Sequence, residues 1–350
     1  MELSELIISM AGLMSVSGYE SRSFEDLKAL CGDAFDECHT DCVGNIVFVK
    51  KCGRDEAPAI LIDTHFDEIG MFVTDILDGG FLSVTNIGGL DTRILQASDV
   101  LVYGNNGEKI FGVVASTPPH LRRPDDSGKL KSVDKLIIDT GYSKEELQKI
   151  LRVGSPVGFV PKYTELQNGR LAGKGFDNKA CGACAVYALS NIPKEKLAGD
   201  VYLMFSCHEE TDRNGGAAVG TFNIKPNYAM VVDVNLGRTP DVEKFDTVVM
   251  DMGASITFSS SVNRTLTKMT EKAAKEVGIA CQRSVCPSST GTNATTVNLT
   301  GKGVPTVDVG LPLYSMHTYN EVLSLFDANE LARLIEVFVC DTEIAEVFAE

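Results

Sequence analysis

The sequence predicts an α/β fold in which a sheet is covered by helices and a smaller β-rich domain is inserted. Three observations carry this expectation. The runs Ala59-Ile60-Leu61-Ile62-Asp63 and Val201-Tyr202-Leu203-Met204-Phe205 are nearly continuous in apolar and aromatic residues, as expected of strands buried on both faces. Helical segments separate such runs at both ends of the chain. Between them, from about residue 73 to 160, short β-rich runs recur between Gly, Asn and Gly-Gly turns. The division this implies is a larger α/β domain from 1–72 and 161–350, and an inserted β-rich domain at 73–160.

Taken in order, residues 2–14 and 20–31 read as helices, with Ser17 or a neighbour placed to cap the second. Residues 45–50 and 59–63 read as strands, the latter running into Thr64-His65-Phe66-Asp67-Glu68-Ile69-Gly70. In the insert, 81–85, 99–103 and 109–114 read as strands and 143–151 as a charged helix, while 122–134 reads as a polar loop. The α/β pattern returns near residue 171. A small-residue helix at 179–189 follows Gly173-Lys174-Gly175-Phe176-Asp177-Asn178, and strands are expected at 201–207 and 228–233. Gly215-Gly216-Ala217-Ala218 suggests a tightly packed helix. Helices at 265–278 and 295–299, a strand at 305–309 and a helix at 327–339 capped by Asp327 complete the reading.

Composition narrows the function classes. A formal net charge of −16 opposes nonspecific association with nucleic acid or an anionic membrane. Neither a basic, apolar N-terminal signal nor an apolar run of membrane-spanning length is seen, so a cytoplasmic protein is expected. The sequons at Asn263, Asn293 and Asn298 are then chance matches. In that setting the ten cysteines are expected to be reduced and mostly buried. Cys181 and Cys184 form a Cys-x-x-Cys pair without a second pair at zinc-finger spacing, which favours core packing.

The chemistry is concentrated where apolar runs stop. Val201 to Cys207 ends on His208-Glu209-Glu210, and buried carboxylates need a compensating charge, commonly a bound cation. Adjacent glutamates are common on solvated helices, so the pair gains weight only from its company. Other strands end near His65, Asp233 and His317, and Asp177 sits in a glycine-rich turn before a helix. In open α/β sheets, ligands bind at the carboxyl ends of strands. Two histidines with several carboxylates suit zinc, manganese or cobalt, and two such ions can activate water and polarise a carbonyl. Position 212 is Asp, so no His-Glu-x-x-His helix exists, and neither a Gly-x-Ser-x-Gly elbow nor a phosphate loop is found. His39 has no visible site context, and His120, after two prolines, reads as a structural loop residue.

These segments resemble the tetrahedral, cocatalytic metallo-aminopeptidases, a family that includes glutamyl and deblocking enzymes. His65-Phe66-Asp67-Glu68-Ile69-Gly70 matches the first motif of that family, and Phe176-Asp177-Asn178-Lys179-Ala180 the second. Glu209-Glu210, Asp233-Val234 and Tyr314-Ser315-Met316-His317 follow in the family's order. Ile87-Gly88-Gly89 and Pro118-Pro119-His120-Leu121 resemble segments of its inserted domain. The resemblance covers nearly the whole chain.

It implies a mixed-sheet, phosphorylase/hydrolase-like metallopeptidase domain with an inserted small β-barrel or PDZ-like domain that serves oligomerisation. It implies two divalent metal ions, zinc or cobalt with manganese as an option. His65 and Asp233 would hold one, Glu210 and His317 the other, and Asp177 would bridge them. Asp67 would orient His65, and Glu209 would be the general base. Short peptides would be the substrates and a homo-oligomer, up to a tetrahedral dodecamer, the assembly.

Two stretches depart from the family pattern. Its Glu-Glu-Val-Gly-Leu-Arg-Gly-Ala reads Glu209-Glu210-Thr211-Asp212-Arg213-Asn214-Gly215-Gly216, and its Gly-Thr-Asp-Ala reads Gly291-Thr292-Asn293-Ala294. All the implied ligands survive, so the departures bear on specificity and rate. Arg213 could face an acidic substrate side chain or simply solvent. The competing readings are a related dinuclear amidohydrolase or deacylase, and a noncatalytic, metal-stabilised peptide-binding assembly. A glycosidase, whose paired carboxylates need no His/Asp cluster, fits poorly.

Overall fold

The computed structural model describes residues 1–121, 132–211, 215–242 and 247–349. Most of the polar loop read at 122–134, and the departure at 212–214 that contains Arg213, therefore lie outside the described residues.

The chain opens with α1 (Leu3–Ala11) and α2 (Phe24–Cys31), then β1 (Glu37–Thr40), β2 (Ile46–Lys50) and β3 (Ala59–His65). Residues 70–159 supply β4 (Gly70–Ile76), β5 (Leu82–Ile87), α3 (Thr92–Leu95), β6 (Asp99–Tyr103), β7 (Lys109–Val114), β8 (Ile137–Asp139), α4 (Lys144–Ile150) and β9 (Pro156–Phe159). Next come β10 (Tyr163–Leu166), β11 (Arg170–Gly173), α5 (Phe176–Asn191), β12 (Asp200–Ser206), α6 (Gly216–Ile224) and β13 (Tyr228–Leu236). The chain finishes with β14 (Ala254–Ser259), α7 (Arg264–Glu276), β15 (Cys281–Cys286), α8 (Ala294–Leu299), β16 (Thr306–Tyr314), β17 (Glu321–Ser324), α9 (Leu325–Cys340) and α10 (Thr342–Phe348).

The larger sheet is mixed, in the order β1-β2-β12-β3-β13-β16-β17-β11-β10, with β14 and β15 extending from β16. Its centre, β12-β3-β13-β16, is parallel. Alternating residues of these strands enter different cores. Ile60, Ile62, Leu203, Phe205, Met230 and Val232 pack with α1, α5 and α9, whereas Leu61, Met204, Ala229 and Val231 pack with α6 and α8. Burial on both faces explains the continuous apolar runs. The small-residue helix α5 lies deep in the first core, and Cys181 and Cys184 are buried there as free thiols. Burial pushes both thiols above their ordinary range, so they pack as small apolar groups.

β4 to β9 close into a six-stranded antiparallel barrel in the order β4-β5-β8-β7-β6-β9. Its own core includes Val73, Val84, Val102, Ile110 and Ile138. β7 alternates between exposed and buried residues, the pattern of a strand with one wet face. At the β4–β5 turn, Gly80 has φ 81°, and a Cβ there would stand 1.8 Å from the Tyr142 carbonyl oxygen. Only glycine fits that position.

Three local expectations are corrected. Ser17 caps no helix; its hydroxyl pairs with that of Thr211 at 3.1 Å. Asp327 does not cap the last long helix, which starts at Leu325 after Ser324. Its carboxylate instead accepts the backbone N–H groups of Asp251 and Gly253 at 2.8 and 2.7 Å. Asp233 lies within β13 and not at its end, because β13 continues to Leu236 alongside β16.

Candidate metal centre

The parallel strands explain why distant residues meet. β3 and β12 run side by side with His65 opposite Ser206, so the chain turns after β12 put Glu209 and Glu210 beside His65. β13 flanks β3 on the other side and brings Asp233, whose register partner on β16 is Gly310. His317 follows the end of β16. Asp177 enters from the first turn of α5, where Asp177 and Asn178 have non-helical dihedrals and share a cis peptide bond.

The side chains converge around Asp177. Its Oδ1 lies 3.1 Å from His65 Nε2, and its Oδ2 lies 3.4 Å from His317 Nε2. Asp233 Oδ1 is 3.5 Å from His65 Nε2, and Glu210 Oε2 is 3.3 Å from His317 Nε2. Donor atoms on a tetrahedral zinc, bonded at about 2.0–2.2 Å, stand about 3.3 Å apart. The observed spacings therefore suit donors converging on cations, and the imidazole and carboxylate set suits zinc, cobalt or manganese. Among the described residues, donor atoms of His65, Asp177 and Glu210 lie within 4.8 Å of one another, as do those of a second group, Glu20, Cys207 and His208.

The electrostatics point the same way. Burial raises the Glu210 carboxyl well above the usual range, and the Asp177 charge adds to the rise. Burial likewise raises Asp233. Burial would raise Asp177 too, but hydrogen bonds from His317 and His65 outweigh it and hold that carboxyl low. Crowded carboxylates that resist ionisation are what a bound cation would relieve.

Asp67 is fully buried and plays a wider part than expected. The closer partner of His65 Nδ1 is the Asp67 backbone carbonyl oxygen at 3.0 Å, with the carboxylate at 3.6 Å. That carboxylate accepts the N–H groups of both Glu209 and Glu210, at 3.0 and 3.1 Å. His208, between strand and carboxylates, has φ 64° and donates its N–H to Glu20 at 3.3 Å. His120 lies in an exposed turn, and His39 on the edge strand β1.

A profile of the M42 glutamyl aminopeptidases matches residues 44–334, most of the chain. The chain belongs to the M42 family. It is 30% identical to the lysyl aminopeptidase of Pyrococcus furiosus, over 97% of this chain and 96% of that protein. Among solved structures it is similar to aminopeptidase APDkam598 from the archaeon Desulfurococcus kamchatkensis. That match has a TM-score of 0.90 at 29% identity and covers 99% of this chain and 97% of the other. It also resembles the Pyrococcus horikoshii TET1 peptidase, with a TM-score of 0.83 at 26% identity, covering 97% and 99%. That protein can assemble into a tetrahedron or a large octahedral shell.

Within this M42 fold, further residues close round the group, and Glu321 among them carries no sequence signal. The Glu321 carboxylate accepts the N–H groups of Phe176, Asp177 and His317. Gly88 and Gly89 bring the barrel against the cluster: a Cβ on Gly89 would lie 3.1 Å from His317 Nδ1. Glu68 holds both Lys174 and Lys179, at 2.6 and 3.1 Å, below the start of α5. The cluster opens into a cavity of about 490 Å³ whose walls include Asn235, Thr257, Ser284, Thr292 and Asp308. Among the described residues no helix is long and apolar enough to cross a membrane.

Proposed function

We propose that this chain is a dinuclear metallo-aminopeptidase that removes N-terminal residues from short peptides. The observation that carries the reading is the Asp177 carboxylate, which offers one oxygen toward His65 and the other toward His317. His65 and Asp233 would hold one divalent cation, Glu210 and His317 the other, with Asp177 shared. Zinc, cobalt and manganese all suit this donor set. When bound, such a pair of ions supplies Lewis acidity that polarises the scissile carbonyl and makes water a better nucleophile.

The remaining work falls to the protein. Glu209, held beside the ligands by the Asp67 clamp on its N–H, takes a proton from the attacking water and delivers it to the leaving amine. Asp67 and Glu321 fix the backbone on both sides of the cluster, so the reacting groups meet at little further entropic cost. The 73–160 segment, which contains the closed barrel except for the first three residues of β4, Gly70 to Phe72, is proposed as an inserted oligomerisation domain. A homo-oligomer follows by analogy with the TET1 peptidase, with a tetrahedral dodecamer as the specific assembly.

Glu209→Gln tests the assignment. Hydrolysis of a panel of aminoacyl anilides and short peptides, with added zinc, cobalt or manganese, is expected to fall by about 10²–10⁴-fold while two ions per chain are retained. Full activity in the variant overturns the role of Glu209. Preferential hydrolysis of N-acylated amino acids by the wild type would favour a deacylase, and peptide binding without turnover a noncatalytic assembly.

A further inference from the structure

We propose that Asp308 is the specificity-determining floor of the substrate cavity and selects peptides with a basic N-terminal residue, lysine or arginine. This rests on the aminopeptidase reading and deepens it. Asp308 lies on β16, two residues before Gly310, the register partner of Asp233. Side chains two apart on a strand share a face, so Asp308 stands about 6.6 Å below the level of the metal-binding group. On the other side of β16, β14 runs antiparallel with Ser255 opposite Gly310, which puts Thr257 beside Asp308.

The floor has the chemistry of an ammonium or guanidinium receptor. Asp308 is 4% exposed and lines the cavity. Its partners are hydroxyls, with Thr292 Oγ1 donating to Oδ1 at 2.9 Å and Thr257 donating beside it. No Lys or Arg is found among the described residues that line the cavity. A buried carboxylate held only by neutral donors retains a large desolvation cost, which a cationic ligand offsets. Gly310 and Asp308 line the same cavity, and at Gly310 the side chains of Ser255 and Asn235 close over the strand. A Cβ there would lie 2.7 Å from Ser255 Oγ and 2.8 Å from Asn235 Cβ. The four-carbon stem of lysine suits a drop of about 6.6 Å and ends in three donors. An acidic side chain would meet like charge at the floor.

The test compares kcat/KM for lysyl, arginyl, norleucyl and glutamyl anilides in wild type and Asp308→Asn. Norleucine keeps the length of lysine without its ammonium. The wild type is expected to favour lysyl over norleucyl by at least about tenfold, and Asp308→Asn to bring that ratio close to one. A wild type that turns over norleucyl or glutamyl substrates as well as lysyl overturns this inference and leaves the aminopeptidase reading standing. Equal losses on every substrate in the variant also overturn it, by assigning Asp308 a structural role. Absence of hydrolysis on all substrates overturns the reading beneath it as well. Competitive inhibition of the wild type by L-lysine and L-norleucine keeps the question open to refutation if the variant fails to fold: lysine is expected to bind at least about tenfold more tightly, and equal binding contradicts the inference.

Discussion

The carboxylate of Glu321 accepts the backbone N–H of Asp177 at 3.2 Å. It also takes the N–H of Phe176 at 2.7 Å and that of His317 at 3.3 Å. One buried side chain thus ties the first turn of α5 to the segment after β16, and with it two residues proposed to hold metal. Groups that position ligands typically change metal affinity or activity by about 10–100-fold when altered. Glu321→Gln is accordingly expected to weaken metal binding by about that factor in calorimetric titration, with a parallel loss of kcat/KM.

Asp67 performs the matching task on the other side. Its carboxylate accepts from Glu209 and Glu210, whereas an amide at that position has one acceptor oxygen and one donor nitrogen. Asp67→Asn is expected to lower kcat/KM by about 10–100-fold. Unchanged steady-state kinetics would show that the clamp is dispensable.

Below the cluster, Glu68 is the shared counter-charge for Lys174 and Lys179, both nearly inaccessible to solvent. Removing one member of a buried ionic group leaves the others uncompensated, at a cost of about 3–5 kcal/mol. Glu68→Gln is expected to lower the unfolding free energy by roughly that amount in urea titrations. A loss below about 1 kcal/mol would mean that the lysines find other partners or lose their charge cheaply.

Chelation gives a prediction that needs no mutation. Ligands that bind only the folded state stabilise it by RT ln(1 + [L]/Kd), about 2.7 kcal/mol at a hundredfold excess over Kd. Dialysis against a chelator is expected to abolish peptide hydrolysis and lower the thermal midpoint, and zinc, cobalt or manganese to restore both. Activity that survives exhaustive removal of metal would contradict the proposed mechanism.

The buried centre of the sheet was legible because its chemistry is written locally. The runs before His65 and before Glu209 are apolar on both faces, and each stops at a polar group. The polarity of Asp233 interrupts an apolar run and so suggests a strand end, but pairing with β16 carries β13 on to Leu236. β15, with Gln282, Arg283 and Ser284, was invisible: it borders solvent and lacks the apolar alternation that marks a half-buried strand.

Long-range roles were legible only in part. Asp327 has the type and local placement of a helix cap, yet its carboxylate serves amides of a loop more than seventy residues earlier. Glu321 sits in Tyr319-Asn320-Glu321-Val322, which has no distinguishing pattern, and its partners at Phe176 and Asp177 lie far away in the chain. Asp308 follows Thr306-Val307 in a strand otherwise rich in apolar residues. Its meaning depends on Thr257 and Thr292 arriving beside it from other elements.

The most direct measurement is anomalous diffraction at the metal absorption edge, from crystals of the protein grown with zinc. Two peaks per chain are expected, one on each side of the Asp177 carboxylate, the first at ligand distance from His65 and Asp233 and the second from Glu210 and His317. A single peak beside Asp177, or none there, would contradict the dinuclear centre.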